Sequence, residues 1–414
     1  MRVFVLLCSV WFLLVPSALA GGLPTASPEK EGLSTHRLER IEPIMRDYVE
    51  RGAFPGMTVA VARHGQLVYL ESFGFADIQT RKPVASDSIF RIYSMTKPVT
   101  ATAVMMLFEE GKFTLDEPVS KYIPSFKDVQ VYRPEGSGKS TKPSREITIR
   151  DLLRQTSGLG YGSEDDPVSQ AYQKANLFDP NTTLEQMVAK LTKLPLYFDP
   201  GTQWKYSVAI DVLGRLVEVW SGQTLAEFFE QRIFRPLGMT DTAFSVPADK
   251  VARFTNCYRS TDEGKLTPLP RAFTSYAPEN VHLYSGGGGL VSTAADYLRF
   301  AQMLANGGAL DGVRILGPKT IELMSMNQLP DGVTAPWEKL QGHGYGFAMS
   351  VLTDIAKSLT VGSVGDFGWD GAASTYFRVD PKEDLVILLM TQRRPCDTEI
   401  QVKLKTLVYQ ALID

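Results

Sequence analysis

The spacing of apolar residues along the chain changes period several times, and each change marks an element. Leu38, Ile41, Met45, Tyr48 and Val49 recur at helical spacing before Gly52, with Pro43 placed to kink that helix or delay its start. Met57 to Arg63 and Gln66 to Phe73 are β-rich runs joined at His64-Gly65, which predicts a hairpin. Helical spacing returns from Ser94 to Glu110, with Val99, Val104, Leu107 and Phe108 apolar and Gly111 as the stop. Between about Lys112 and Thr240 helices and polar loops dominate. They include Leu184 to Leu191, capped by Thr182 or Thr183, and Val208 to Trp220, capped by Ser207. Near the C-terminus Thr375 to Val379 and Leu385 to Met390 flank a turn from Asp380 to Asp384. Ile400, Leu404, Leu407, Val408 and Leu412 then trace a final amphipathic helix. Strands at both ends with helices between them predict one sheet whose halves are far apart in sequence. No internal repeat is present.

Composition narrows the function. The 414 residues carry 43 Lys+Arg against 46 Asp+Glu, a net charge of −3, which argues against a nucleic-acid groove or a polybasic membrane surface. With 44% hydrophobic and 21% charged residues the chain can build a core and is no disordered polyelectrolyte. Three cysteines are too few for a disulfide scaffold. Met1 to Ala20 has a cation at Arg2, an apolar stretch from Val3 to Val15, and Ala18 and Ala20 flanking Leu19. That pattern is a secretory signal cut after Ala20, with an apolar run too short to span a bilayer. The expectation is a secreted or periplasmic protein with no stable membrane anchor. Cys257 and Cys396 remain after cleavage, and the sequence leaves open whether they pair.

Several motifs lead nowhere. Gly136-Ser137-Gly138-Lys139-Ser140 suggests a phosphate loop, but Arg133 stands where the full pattern needs glycine. The run Gly286 to Gly289 lacks dinucleotide-site spacing and reads as a place where backbone packs closely. His36, His64, His282 and His343 show no metal-ligand spacing, and no Gly-x-Ser-x-Gly elbow occurs. Ser94-Met95-Thr96-Lys97 is different. It puts a hydroxyl and an amine three residues apart at the start of a helical pattern, on one helix face, where the amine can take the hydroxyl proton. The helix N-terminus adds unpaired N–H groups and a positive dipole end, both suited to an oxyanion. Ser27-Pro28-Glu29-Lys30 has the same spacing but lies beside the cleavage point, with no helix to orient it.

The surroundings of Ser94 strengthen this reading. Phe90-Arg91-Ile92-Tyr93-Ser94-Met95-Thr96-Lys97-Pro98 resembles the active-site segment of the serine β-lactamase and penicillin-binding protein superfamily, in its class C-like branch. Gly56 to Val61 resembles the family's first strand, and Asp151 to Leu159 its central helix and turn. Pro236-Leu237-Gly238-Met239 and Gly288 to Thr293 are further segments of that kind, in the same order. The family's second motif, Tyr-x-Asn, falls at Tyr206-Ser207-Val208, and the third, Lys-Thr-Gly, at Trp369-Asp370-Gly371. Trp369 removes the cation that meets a β-lactam carboxylate, a contact worth roughly 1.5–3 kcal/mol. Val208 replaces an amide. Both departures resemble the family VIII carboxylesterases.

The resemblance implies an α/β (α+β) fold: an antiparallel sheet flanked by helices, from about 21–110 and 285–414, with an inserted mainly helical lobe at about 112–284. It implies an acyl-enzyme on Ser94, proton transfer by Lys97 and Tyr206, and an oxyanion hole from the backbone N–H groups of Ser94 and Ala372. Trp369, Gly371, Tyr161 and Val208 would line the substrate site, and Asp370 would orient neighbours or sit in a surface loop. Gln155, where many relatives have histidine, has no chemical role in this reading. The substrate is a small neutral ester; no metal or organic cofactor and no nucleic acid is called for, and oligomeric state stays open. Alternatives on the same scaffold are a β-lactamase, a D-amino-acid peptidase or amidase, a transacylase, or a non-hydrolytic penicillin-binding protein.

Overall fold

The computed structural model describes residues 22–134, 139–269, 276–337, 340–358 and 360–413. The leader Met1 to Ala20 and the glycines Gly136 and Gly138 lie outside the described residues.

The N-terminal helix α1 (Ile41–Glu50) carries Pro43 in its first turn, where the missing N–H has no intrahelical acceptor to lose. It ends before Gly52, which takes φ 73°. Strands β1 (Gly56–Arg63) and β2 (Gln66–Asp77) form the hairpin. His64 (φ 49°) and Gly65 (φ 76°) supply the two left-handed residues that a tight hairpin turn needs. The second strand runs on past Phe73 to Asp77 because it pairs with a short edge strand, β3 (Lys82–Pro83).

The central helix α2 (Thr96–Glu109) starts two residues later than the apolar spacing suggests. Ser94 lies instead on a 3-10 turn, Tyr93–Met95, because Pro98 must fall within the first helical turn. The lobe helices α3 (Ile149–Leu153), α4 (Leu184–Leu191) and α5 (Ala209–Ser221) follow. Thr183 caps α4 in a reciprocal box with Gln186. Helix α5 starts at Ala209, whose N–H donates to Ser207 Oγ at 3.2 Å. The lobe is not purely helical: Tyr258–Ser260 and Leu266–Pro268 pair as a hairpin, which lies parallel to Arg393–Arg394.

After α6 (Ala294–Ala305) come β4 (His343–Tyr345), β5 (Ser350–Leu352), β6 (Phe367–Asp370), β7 (Tyr376–Asp380) and β8 (Leu385–Thr391), then α7 (Thr398–Tyr409). The eight strands make one antiparallel sheet in the order β4-β5-β6-β7-β8-β1-β2-β3. Met57 faces Thr391 and Arg63 faces Leu385, so chain ends far apart in sequence share the middle of the sheet.

Every residue of β1 is buried, because helices cover both faces. Alternation divides its side chains. Val59 and Val61 join Ile41, Met45, Ile400 and Leu404 under α1 and α7, whereas Ala60 and Ala62 face the larger core with Leu388, Tyr297 and Phe300. The antiparallel sheet with flanking helices and an inserted lobe is thus the expected architecture. Among the described residues no helix is long and apolar enough to cross a membrane.

Leu388 is fully buried between Ala60 and Phe377 on the neighbouring strands. Its replacement by alanine is expected to lower stability by about 2–5 kcal/mol, read as an earlier urea midpoint at unchanged slope.

Candidate active site

Helix α2 has no solvent face: every residue from Thr96 to Leu107 is buried. A helix apolar on all sides belongs at the centre of a molecule, and this one packs against α5 of the lobe. The turn before it is pinned by three hydrogen bonds to Leu290 and Tyr297. Ile92 N–H donates to Leu290 O at 3.1 Å, Thr96 Oγ1 accepts from Leu290 N–H at 3.2 Å, and Tyr297 OH donates to Met95 O at 2.8 Å. Tyr93 sits at φ 43°, a left-handed conformation for a bulky residue, one position before Ser94.

Lys97 is wholly buried in the first turn of α2. Its Nζ donates to Gly287 O at 2.5 Å and Tyr161 OH at 3.0 Å, and lies 3.3 Å from Ser94 Oγ. Burial pulls this amine down to about 8, against the opposing fields of Asp211 and Asp370. Ser94 keeps part of its surface, so the hydroxyl is reachable while the amine is not.

Asp211 supports that amine. It is fully buried on the first turn of α5, and its Oδ1 accepts from Ser285 Oγ at 2.5 Å and from Gly287 N–H at 3.1 Å. Gly287 therefore bonds the carboxylate through its N–H and the amine through its carbonyl. Burial raises the Asp211 carboxyl, and Lys97 is the largest influence holding it down. The glycine run makes this approach possible: a Cβ at position 287 would lie 2.4 Å from Asp211 Oδ2.

Tyr206 precedes α5, with its ring centroid 4.6 Å from Lys97 Nζ. Burial raises its phenol, countered by hydrogen bonding with Ser94 and Trp369. Trp369 Nε1 donates to Tyr206 OH at 3.3 Å. Gln155, at φ 63°, accepts from Ser207 Oγ at 2.6 Å and from Lys205 N–H at 3.0 Å, and so fixes the residues on both sides of Tyr206. Its role is positional.

The third motif closes the site from the sheet. Gly371 packs so tightly that a Cβ would stand 2.5 Å from Ile92 O, two residues before Ser94. Ala372 follows in the turn after β6, and its N–H makes no hydrogen bond among the described residues. Aromatic rings wall the space above. Tyr206 lies 5.0 Å from Trp337 and 5.6 Å from Trp369, and Trp369 lies 5.2 Å from Tyr345. Phe178, one of the exposed large apolar residues, stacks on Tyr161 at 6.0 Å.

The structure thus brings Ser94, Lys97, Tyr161, Tyr206, Trp369, Gly371 and Ala372 together. Tyr161 does more than line a wall, since its hydroxyl bonds Lys97 directly. Val208 is completely buried in the main core just before α5, with no surface for a ligand to touch. Ser27 lies at the start of a surface 3-10 turn, Pro28–Glu31. No disulfide joins Cys257 and Cys396. Cys257 Sγ lies 3.7 Å from Tyr93 OH, and Cys396 Sγ lies 3.8 Å from Asp370 Oδ2. Sequence reasoning missed Asp211, Gly287 O and Trp337. The signal for the first was a charged residue amid the apolar run Val208 to Leu213; nothing local marked the others.

Lys97 is expected to titrate near pH 8 in lysine-selective carbon NMR, far below an ordinary lysine. Asp211→Asn keeps an oxygen for Ser285 and Gly287 but removes a negative charge, so the Lys97 midpoint moves to lower pH. An upward move would contradict the arrangement.

Known proteins similar to this chain belong to one family. The Beta-lactamase family model matches residues 41–406. Esterase EstB of Burkholderia gladioli is 32% identical over 85% of this chain and 89% of its own length. A putative D-alanyl-D-alanine carboxypeptidase of Escherichia coli K12 is 26% identical over 90% of this chain and 86% of that protein. The solved structure of EstCE1, described as a hydrolase with promiscuous acyltransferase activity, superposes with a TM-score of 0.79 at 28% identity, over 90% of this chain and 99% of its own. The protein therefore belongs to the β-lactamase family, as a serine hydrolase with esterase relatives.

Proposed function

We propose that this protein is a carboxylesterase that hydrolyses small, neutral acyl esters through an acyl-Ser94 intermediate. The observation that carries the reading is the Lys97 amine, sealed from water, lowered to about 8 and 3.3 Å from Ser94 Oγ. A neutral amine has two N–H bonds and one lone pair. Gly287 O can only accept, so it takes one N–H; Tyr161 OH takes the other. The lone pair is then left facing Ser94, where it can receive the hydroxyl proton.

In the first step Ser94 Oγ bonds to the ester carbonyl carbon and its proton passes to Lys97. The tetrahedral oxyanion is held by the N–H groups of Ser94 and Ala372, an interaction worth about 10²–10³ in rate in comparable sites. The bond to the alkoxy oxygen then breaks, and Lys97, directly or through Tyr206 OH, returns the proton to the departing alcohol. Water repeats the sequence on the acyl-enzyme and releases the carboxylic acid. The similarity to EstB and EstCE1 supports ester substrates. So does the wall of Trp369, Trp337 and Tyr345, which offers apolar surface where a β-lactamase presents a cation.

The similarity to a carboxypeptidase keeps peptidase, β-lactamase and transacylase activity as the second reading on the same nucleophile. A secreted or periplasmic location belongs to the proposal as well, supported by the pattern of Met1 to Ala20 alone.

The deciding measurement compares kcat/KM for a p-nitrophenyl butyrate-type ester, a chromogenic cephalosporin and a D-alanyl peptide. The ester is expected to be fastest, and a rate far below the other two would overturn the reading. Ser94→Ala is expected to lose at least about 10³-fold in kcat with an unchanged circular dichroism spectrum. Because only neutral Lys97 accepts a proton, kcat/KM should rise with pH through a midpoint near 8. A profile flat from weakly acid to weakly alkaline pH would speak against Lys97 as the base.

A further inference from the structure

The strand that holds Trp369 has a second, unassigned side. Alternation along β6 turns Trp369 toward the aromatic wall and Asp370 toward α7. Between that face and α7 lies a cavity of about 400 Å³, lined by Asp370, Arg378, Gln401 and Lys405, with His343 and Thr360 beside them and Trp369 at the border it shares with the aromatic wall. It has room for a small organic molecule and borders none of Ser94, Lys97 or Tyr206.

Its ends differ in charge. Asp370 faces Tyr376 across the strand pair and Gly368 faces Arg378, so Arg378 stands one pleat further from Asp370. On α7 Gln401 reaches Cys396 beside Asp370, and Lys405, one turn on, reaches Asp366 beside Arg378. One end therefore holds Arg378 and Lys405, both buried, with Asp366 as their shared carboxylate: 2.6 Å from Lys405 Nζ and 3.7 Å from Arg378 Nε. Asp380 also acts on Lys405, from further off and while accepting from Tyr409 OH, so Arg378 is the cation with no carboxylate in hydrogen-bond contact among the described residues, which is costly out of bulk water. Arg378 is only 7% exposed, and its Nε has no hydrogen-bond partner.

The other polar groups complement this. His343 Nδ1 lies 2.9 Å from Gln341 O, which can only accept, so Nδ1 carries the proton and Nε2 is an acceptor. Burial, aided by Arg378, holds the imidazole down to about 4, so it stays neutral at pH 7. His343 Nε2 and Thr360 Oγ1 are both buried without partners. We infer that this cavity binds a small carboxylate bearing a hydroxyl donor: its carboxylate meets Arg378 and Lys405, and its hydroxyl donates to Asp370 or His343 Nε2. The site shares Trp369 with the wall of the Ser94 cleft but none of Ser94, Lys97 or Tyr206, and does not depend on what Ser94 hydrolyses.

The test uses the full chain with 3-hydroxybutyrate, butyrate and chloride as sodium salts at matched ionic strength. 3-Hydroxybutyrate should raise the thermal midpoint saturably, butyrate less, and chloride not at all. Val402→Trp fills the exposed mouth without touching a charge. It should weaken 3-hydroxybutyrate by at least about tenfold in calorimetry while leaving ester turnover unchanged. Arg378→Met should abolish binding, and if that protein does not fold, Val402→Trp decides alone. Unchanged affinity in Val402→Trp, an equal shift with chloride, or no saturable shift would overturn the assignment. So would loss of binding after Ser94 is blocked with a fluorophosphonate, which would locate the ligand in the catalytic cleft.

Discussion

The structure depends on one interaction above all, the seating of a lysine amine at the centre of the molecule, out of reach of water. A charged ammonium there is disfavoured, so the amine gives up its proton near pH 8 and a base for mildly alkaline pH results. Burying it requires α2 to be covered on every side, as its packing against α5 and its place in the main core provide. The carbonyl at position 287 must then come within 2.5 Å, which needs glycine there because Asp211 presses on the same peptide. Asp211 keeps the amine from becoming too weak a proton acceptor. Lys97 and Asp211 are each displaced by burial and drawn back by the other, so the site's protonation is a property of the pair.

Strain gathers around the same point. Tyr93, Gln155 and Ser374 adopt left-handed backbone conformations without being glycine. One precedes Ser94, one fixes the neighbours of Tyr206, and one closes the turn after Trp369-Asp370-Gly371. Each is held by bonds to distant chain: Gln155 by Ser207 and Lys205, Ser374 through its Oγ to Arg393 O at 2.9 Å. Packing elsewhere over-determines these loops, and preorganised geometry is the return on the strain.

How much of this was legible depends on the range of the forces involved. The hairpin at His64-Gly65, the cap at Thr183 and the stop at Gly111 were readable because each is settled by residues a few positions apart. The pairing of Ser94 with Lys97 was readable for the same reason. The start of α2 was misplaced by two residues because Pro98 governs it and apolar spacing does not. Asp211, Gly287 O and Trp337 meet the site only through tertiary packing, so their local sequence carried little sign of them. Val208 shows the reverse error. It was assigned to the ligand by its place in a motif, whereas its neighbours place it in the core.

The split sheet has a consequence for how the molecule comes into being. β1 is fully buried in the finished protein, yet its neighbour β8 is made almost last: Met57 waits for Thr391. Until then the hairpin of β1 and β2 has an open inner edge, one apolar face covered by α1 alone and the other uncovered, since α6 and α7 come late. Contacts of such long sequence separation make for slow closure and a sticky intermediate. The emerging chain has no means of completing its core early, so it stays threadable, and vulnerable to aggregation, until synthesis is almost finished.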